Sequence, residues 1–388
     1  MKFRAVLFIL ALAPPLFQGS ALADTPPSVW DRAKDPSIGK TWDVHLAVQG
    51  WFAAADVARM EARERQHLHG GAPASFAITE GPYYERAVRA LENANAGTSS
   101  DVRLRFDYGL ALLKLNRYVE AGTILRDALA MAPNHPMATD GMHPAWLNYS
   151  FANAYLENAE EERRGYERFL AHATEAPERL VPMLNLAEAE MHLGDLTEAA
   201  RGYEATRQLA ASLPNEMSME TGILATWGLA VALDRAGDFG AAARAAESAV
   251  GMDPPPASSK DPYLALSRLP ASYAVPVPDH KAIILDETSV FFVPSYERKW
   301  YLALGETVLA KRSADPRVSL FHWRAVEKFW TDYVTDSRAH KGDRFLASAE
   351  KRLEAATKQR KDLEKRTSTL KDDEDLRVRP PPRGIFIE

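Results

Sequence analysis

Apolar residues recur three or four positions apart along most of the chain and break off at short polar or proline-containing stretches, which predicts a succession of helices. The first is long: Trp42, Leu46, Trp51, Phe52 and Ala55 share one face over 41–66. The stretch from His67 to Pro82 is rich in glycine and proline and reads as a connection to a helix carrying Ala87. Helical periodicity fails between Pro254 and Tyr296. There Pro254-Pro255-Pro256, Pro262, Pro270, Pro276, Pro278 and Pro294 forbid a continuous helix, and Ile283-Ile284-Leu285 and Val290-Phe291-Phe292-Val293 suit extended chain. It resumes at Tyr296 to Lys311 and continues over 318–334, where Trp323, Val326, Phe329, Trp330 and Tyr333 form an aromatic stripe of the kind a helical core uses. A last helix over 341–367 has a narrow apolar face (Phe345, Leu346, Ala349, Leu353) and is expected to cap the C-terminal end.

A second, longer spacing lies over this one. Gly109, Ala121, Leu125, Ala128 and Pro133 have the same mutual offsets as Ala230, Ala242, Ala246, Ala249 and Pro254. Ala187, Ala199 and Tyr203 repeat them, with Thr206 in place of the next alanine, and Ala87, Leu91 and Ala94 precede Ala121, Leu125 and Ala128 by one constant interval. Small residues at such places let two antiparallel helices approach closely, so Gly109 is expected against Ala121 and Ala230 against Ala242. Asn116-Arg117-Tyr118, Gly194-Asp195-Leu196 and Gly237-Asp238-Phe239 each supply a helix terminator and then an apolar anchor. Phe151, Ala152 and Tyr155, followed by Gly165, Phe169, His172 and Pro177, form a degenerate unit with one residue too many in its turn.

These stretches resemble tetratricopeptide repeats, in which a period of about 34 residues, the interval from Ala87 to Ala121, carries one helical hairpin. The resemblance implies an all-α fold, an α-solenoid of hairpins with an irregular insertion and a C-terminal helical module. The expected segments are 1–23, set apart below; N-terminal helices with a split or capping repeat over 24–100; the array over 101–254; the insertion over 255–295; the helical module over 296–367; and an extended tail over 368–388. It also implies a binding groove on the concave side, lined by the first helix of each hairpin. On matching positions the groove comprises Arg103, Phe106, Asp107, Leu110 and Lys114; then Trp146, Tyr149 and Asn153; then Leu184, Asn185 and Glu188; then Leu224, Trp227 and Asp234. Asn153 and Asn185 stand where clamp-type members of the family grip a peptide backbone or terminal carboxylate. Tyr149, Leu224 and Gly228 stand where that clamp has basic residues, so a dedicated carboxylate grip is not expected. The same positions also suit packing between hairpins.

Composition narrows the function. A hydrophobic share of 46% and a charged share of 26% are those of a folded chain in water. Lys2 and Arg4 before the apolar run Ala5 to Ala13, with Ala21-Leu22-Ala23 before Asp24, read as a secretory signal peptide over 1–23. Export to a periplasm, or alternatively outside the cell, is therefore expected. Without Lys2 and Arg4 the formal charge moves from −6 to −8, which argues against a nucleic-acid partner. There is no cysteine, which excludes disulfides, thiol nucleophiles and a lipidated N-terminal cysteine. No stretch after the leader reads as a transmembrane helix.

No catalytic constellation stands out, and no cofactor or metal is expected. His67 and His69 are a histidine pair without a third ligand, His135, Asp140 and His143 bracket one loop, and Glu160-Glu161-Glu162 reads as a solvated turn. An enzyme hidden in the insertion would draw on Asp279, His280, Asp286 and Glu287. The reading is a non-catalytic adaptor or assembly factor for a peptide or protein partner, with Trp146 and Trp227 as apolar anchors. The alternative is a structural part of an envelope machine acting through its outer faces and its tail, where Ile385-Phe386-Ile387 is a candidate contact.

Overall fold

The computed structural model describes residues 36–69, 76–140, 143–213, 216–251, 292–340 and 343–368. The signal segment, the insertion before Phe292 and the tail after Ser368 lie outside them. Two compact units make up the chain, Met1–Ser295 and Tyr296–Glu388. Among the described residues every regular element is a helix.

In the first unit α1 is Pro36–His69, α2 Phe76–Thr79, α3 Gly81–Asn93, α4 Val102–Lys114, α5 Tyr118–Met131 and α6 Pro136–Thr139. They are followed by α7 Ala145–Tyr155, α8 Ala159–Leu170, α9 Ala176–Leu193, α10 Leu196–Ser212, α11 Glu216–Arg235 and α12 Phe239–Gly251. The first helix is longer at both ends than its apolar pattern indicates, and the described residues of the connection expected from His67 to Pro82 end α1 at His69, form α2 and begin α3 at Gly81. Pro82 starts a helix there because a proline within the first turn gives up an amide that has no partner anyway.

Helices pack in pairs: α1 with α3, α4 with α5, α7 with α8, α9 with α10 and α11 with α12. Each pair also meets the next, α3 against α4, α5 against α7, α8 against α9 and α10 against α11. The unit is thus a solenoid of helical hairpins. The turn inside four successive pairs is the same. A residue in the left-handed region (Asn116 φ 62°, Glu157 φ 56°, Gly194 φ 86°, Gly237 φ 87°) ends the first helix. The next amide reaches back to a carbonyl five residues earlier: Arg117 to Leu112 at 2.9 Å, Asn158 to Asn153 at 2.9 Å, Asp195 to Glu190 at 2.9 Å and Asp238 to Leu233 at 3.0 Å. The Phe151 unit therefore has no extra residue in its turn. Glu157 is not legible as its terminator because a side chain disfavours that conformation.

The turn residues Asn116, Glu157, Gly194 and Gly237 are unevenly spaced, so the interval from Ala87 to Ala121 is kept between α3 and α5 but not along the array. The stretching has two sources. The α6 helix is inserted after α5, and α10 and α11, at 17 and 20 residues, outgrow the 13 of α4.

Close approach inside the pairs depends on small residues. A Cβ on Gly109 would overlap the side chain of Leu125, one turn beyond Ala121 on α5. Gly165 lies against Ser150 and Trp146, and Gly202 against Ala187. Between pairs, Gly228 leaves room for the ring of Tyr203, and Tyr118 stacks on Tyr155 at 4.0 Å. Around these contacts Tyr84, Leu91, Leu104, Leu112, Tyr166 and Trp227 are wholly buried; each large apolar side chain so placed contributes about 2 kcal/mol.

The second unit is α13 Arg298–Arg312, α14 Pro316–Ala339 and α15 Leu346–Ser368. The α13 and α15 helices both pack on α14. Trp300 is the centre, with Trp330, Tyr333 and Phe345 edge-on to it at 4.9, 5.1 and 6.2 Å; Val326, Trp330 and Tyr333 of the aromatic stripe are core, while Trp323 and Phe329 are half-buried. The α15 helix starts later than its sequence pattern suggests: the carboxylate of Asp343 accepts the Phe345 amide at 2.7 Å and the hydroxyls of Tyr333 at 3.1 Å and Ser337.

Candidate partner-binding face

Arg103, Asp107, Leu110 and Lys114 do form one stripe of α4, but α1 lies across it. The Gln49 amide donates to Asp107 Oδ1 at 2.7 Å, and His45 Nδ1 is 2.6 Å from Oδ2, leaving Asp107 only 1% exposed. Burial raises the Asp107 pKa, and the contacts with His45 and Gln49 oppose that rise. The Arg103 guanidinium pairs with Asp101 at 2.8 Å and stacks over the Trp42 ring at 4.4 Å. Lys114 is buried near Tyr84, Asp56, Arg59 and Glu80, and desolvation lowers its ammonium to about 8. The first segment of the expected groove is therefore the seam between the first two hairpins. There His45 and Gln49 of α1 meet the polar stripe of α4.

In the next unit Trp146 is 6% exposed, with its indole N–H donating to the Pro133 carbonyl at 3.0 Å. The Tyr149 hydroxyl donates to Glu161 at 2.6 Å, and burial followed by that carboxylate pushes it up to about 12. Asn153 is 5% exposed and gives its amide to the Tyr149 carbonyl at 2.9 Å. In the last pair Trp227 and Asp234 are buried as well. Trp146, Tyr149, Asn153, Trp227 and Asp234 are thus not on a recognition surface. Their size and polarity are used inside the array, since a residue next to a hairpin's small-residue contact is enclosed by the neighbouring helix. Phe106, Leu110 and Leu184 are buried in the same way, and Leu224 is half-buried.

One helix differs. On α9, Val181, Asn185, Glu188 and His192 stand in the register of Arg103, Asp107, Leu110 and Lys114, and all four are half-buried rather than enclosed. Asn185 donates to the Tyr166 hydroxyl at 3.2 Å, which fixes the stripe against α8. The surroundings are acidic. Glu162 is buried, and desolvation with Glu188 nearby raises its pKa far above the usual carboxylate range. Glu190 is raised to about 7, first by burial and then by Glu198. The sequence places Glu162 in a solvated turn, yet the first turn of α8 points it inward and commits Glu161 to Tyr149. Sequence reasoning misses Val181 and His192, although the spacing of four, three and four positions from Val181 through Asn185 and Glu188 to His192 is visible once Ala187 is aligned with Gly109.

The histidine loop does not gather as a metal site. His135 caps α6 by accepting the Met137 amide at 3.2 Å, while His143 Nε2 lies 3.8 Å from Asp56 of α1. Among the described residues no group of three histidine or acidic side chains is placed to hold a metal ion. The side chains of His67 and His69, and Asp279, His280, Asp286 and Glu287, lie outside the described residues. No described helix is long and apolar enough to cross a membrane.

Paired helices, a shared left-handed turn and small-residue contacts define a helical-hairpin repeat protein. Residues 83–136, from within α3 to the start of α6, match the family model described as tetratricopeptide repeat, so this part of the chain carries a tetratricopeptide repeat. The match falls where the regular interval from Ala87 to Ala121 is kept. No curated protein matches the chain at a significant level.

Proposed function

We propose that this protein is a non-catalytic scaffold, an adaptor or assembly factor of the bacterial periplasm, that holds a peptide or protein surface along the half-buried stripe of α9. Tetratricopeptide repeats generally mediate protein–protein interaction, which sets the class of partner. The observation that carries the reading is the α9 stripe: where α4 is covered by α1, α9 leaves Val181, Asn185, Glu188 and His192 half-buried rather than enclosed. An amide, a carboxylate and an imidazole beside an apolar residue suit a polar backbone flanked by basic side chains. The location follows from the order of charge, apolar run and small residues between Met1 and Ala23.

The test is capture of a partner from periplasmic extract with the full chain as bait, compared with Asn185→Ala, Glu188→Lys and His192→Ala combined. The triple variant is expected to keep its helical circular dichroism and lose the captured band. Capture unchanged by the triple variant would end the proposal. Trp227 and Asn153 are unsuitable for this purpose, because their loss would damage the core.

A further inference from the structure

In the C-terminal unit, the end of α13, the start of α14 and the flank of α15 line a cavity of about 490 Å³. That is within the range of small-ligand pockets. Its chemistry is narrowed by what its hydroxyls already do. Thr307 donates to the Ala303 carbonyl at 2.7 Å, Ser313 to the Asp315 carbonyl at 3.1 Å and Ser319 to the Ala310 carbonyl at 2.8 Å. Charged side chains and one amide, Gln359, make up the rest of the polar lining. Among those lining the cavity Lys311, Arg352 and Arg366 are cations, and Asp362 is the single anion.

Two features separate this from an ordinary basic surface. Arg352 is half-buried, and desolvation depresses its guanidinium; a charge in such surroundings interacts with an anion more strongly than one in open water. Trp323, also half-buried, gives the cavity an aromatic wall next to those cations. We propose that the cavity is a binding site for a small organic anion, a carboxylate or phosphate carried on a planar body. The anionic head takes the charge-assisted donors of Arg352 and Lys311, with Arg366 at the rim, and the planar body lies on the indole of Trp323. This site is separate from the α9 stripe and does not depend on that reading.

Isothermal titration of the full chain with benzoate and phenyl phosphate tests it, with inorganic phosphate as a head without a body and benzylamine as a body of the wrong charge. Saturable binding of one equivalent of phenyl phosphate or benzoate is expected, weaker binding of inorganic phosphate and none of benzylamine. Arg352→Gln should weaken binding by about tenfold, as loss of one charge-assisted hydrogen bond does. Lys311→Gln alters an exposed side chain, so it keeps the test readable if the arginine variant misfolds, and it should weaken binding with an unchanged melting curve. Trp323→Leu should weaken phenyl phosphate and leave inorganic phosphate unaffected. Absence of saturable binding by either aromatic anion, or binding indifferent to both Lys311→Gln and Arg352→Gln, would overturn the proposal. Equal binding of inorganic and phenyl phosphate would remove the planar body from it.

Discussion

His45 Nδ1 lies 2.6 Å from Asp107 Oδ2, joining α1 to α4 across 62 residues of chain. With Gln49 on the other carboxylate oxygen, this contact turns a polar groove position into the clasp of the first seam. Asp107→Ala takes the shared acceptor from His45 and Gln49 and empties a buried position, and is expected to cost about 1–3 kcal/mol, while Asp107→Asn, which keeps one acceptor, costs less. Urea denaturation of the two variants measures the difference; equal and small losses would show that the clasp contributes nothing.

Stability should depend on pH through α8 and α9. Glu190 has a folded pKa of about 7, and that of Glu162 is raised well above its ordinary value; burial is the leading cause for both. Between their ordinary carboxylate values and these raised ones the folded state binds more protons than the unfolded state, so their contribution to stability is full at low pH and falls as pH rises toward 7. Melting temperatures recorded from pH 5 to 7.5 should decline across that window. Glu162→Gln and Glu190→Gln together should flatten the decline, and a slope unchanged by both would contradict the assignment.

Gly228 stands where any Cβ would overlap the Tyr203 ring. Gly228→Val is expected to destabilise by about 1–3 kcal/mol, as overpacking does, and Tyr203→Leu in the same chain should recover part of the loss. Thermal melts of the single and double variants decide it.

At the Glu157 turn the cost runs the other way. Its φ of 56° places a side chain in a region where glycine is at ease, and two equivalent turns already use Gly194 and Gly237. Glu157→Gly is predicted to stabilise by about 1 kcal/mol, read as a higher urea midpoint at unchanged slope.

Trp227→Ala should cost about 3–5 kcal/mol, because it empties a fully enclosed site, whereas Asn185→Ala, which takes one hydrogen-bond donor from the Tyr166 hydroxyl, should cost about 1 kcal/mol. Chemical denaturation of the pair separates core from face: similar losses would mean that α9 is as enclosed as α11.

Much of the fold was legible from particular residues. Ala87, Gly109, Ala187 and Ala230 marked where helices meet, and Asn116, Gly194 and Gly237 marked where they turn, since close packing and left-handed backbone each admit few residue types. The candidate site was far less legible. Trp146, Asn153 and Trp227 have the chemistry of a recognition surface and the environment of a core, and no local pattern distinguishes a half-exposed helix face from one covered by the next hairpin.

The order of small, apolar and turn-forming residues by itself determined that this chain folds as helical hairpins and where most of them turn, because those are short-range consequences of sterics and backbone geometry. Which face of each first helix is open was decided only in three dimensions. A helix from one place in the chain, α1, closes over α4, while the packing around α9 leaves its stripe half-buried; exposure is a property of neighbours brought together by folding, and the spacing within one helix does not contain it.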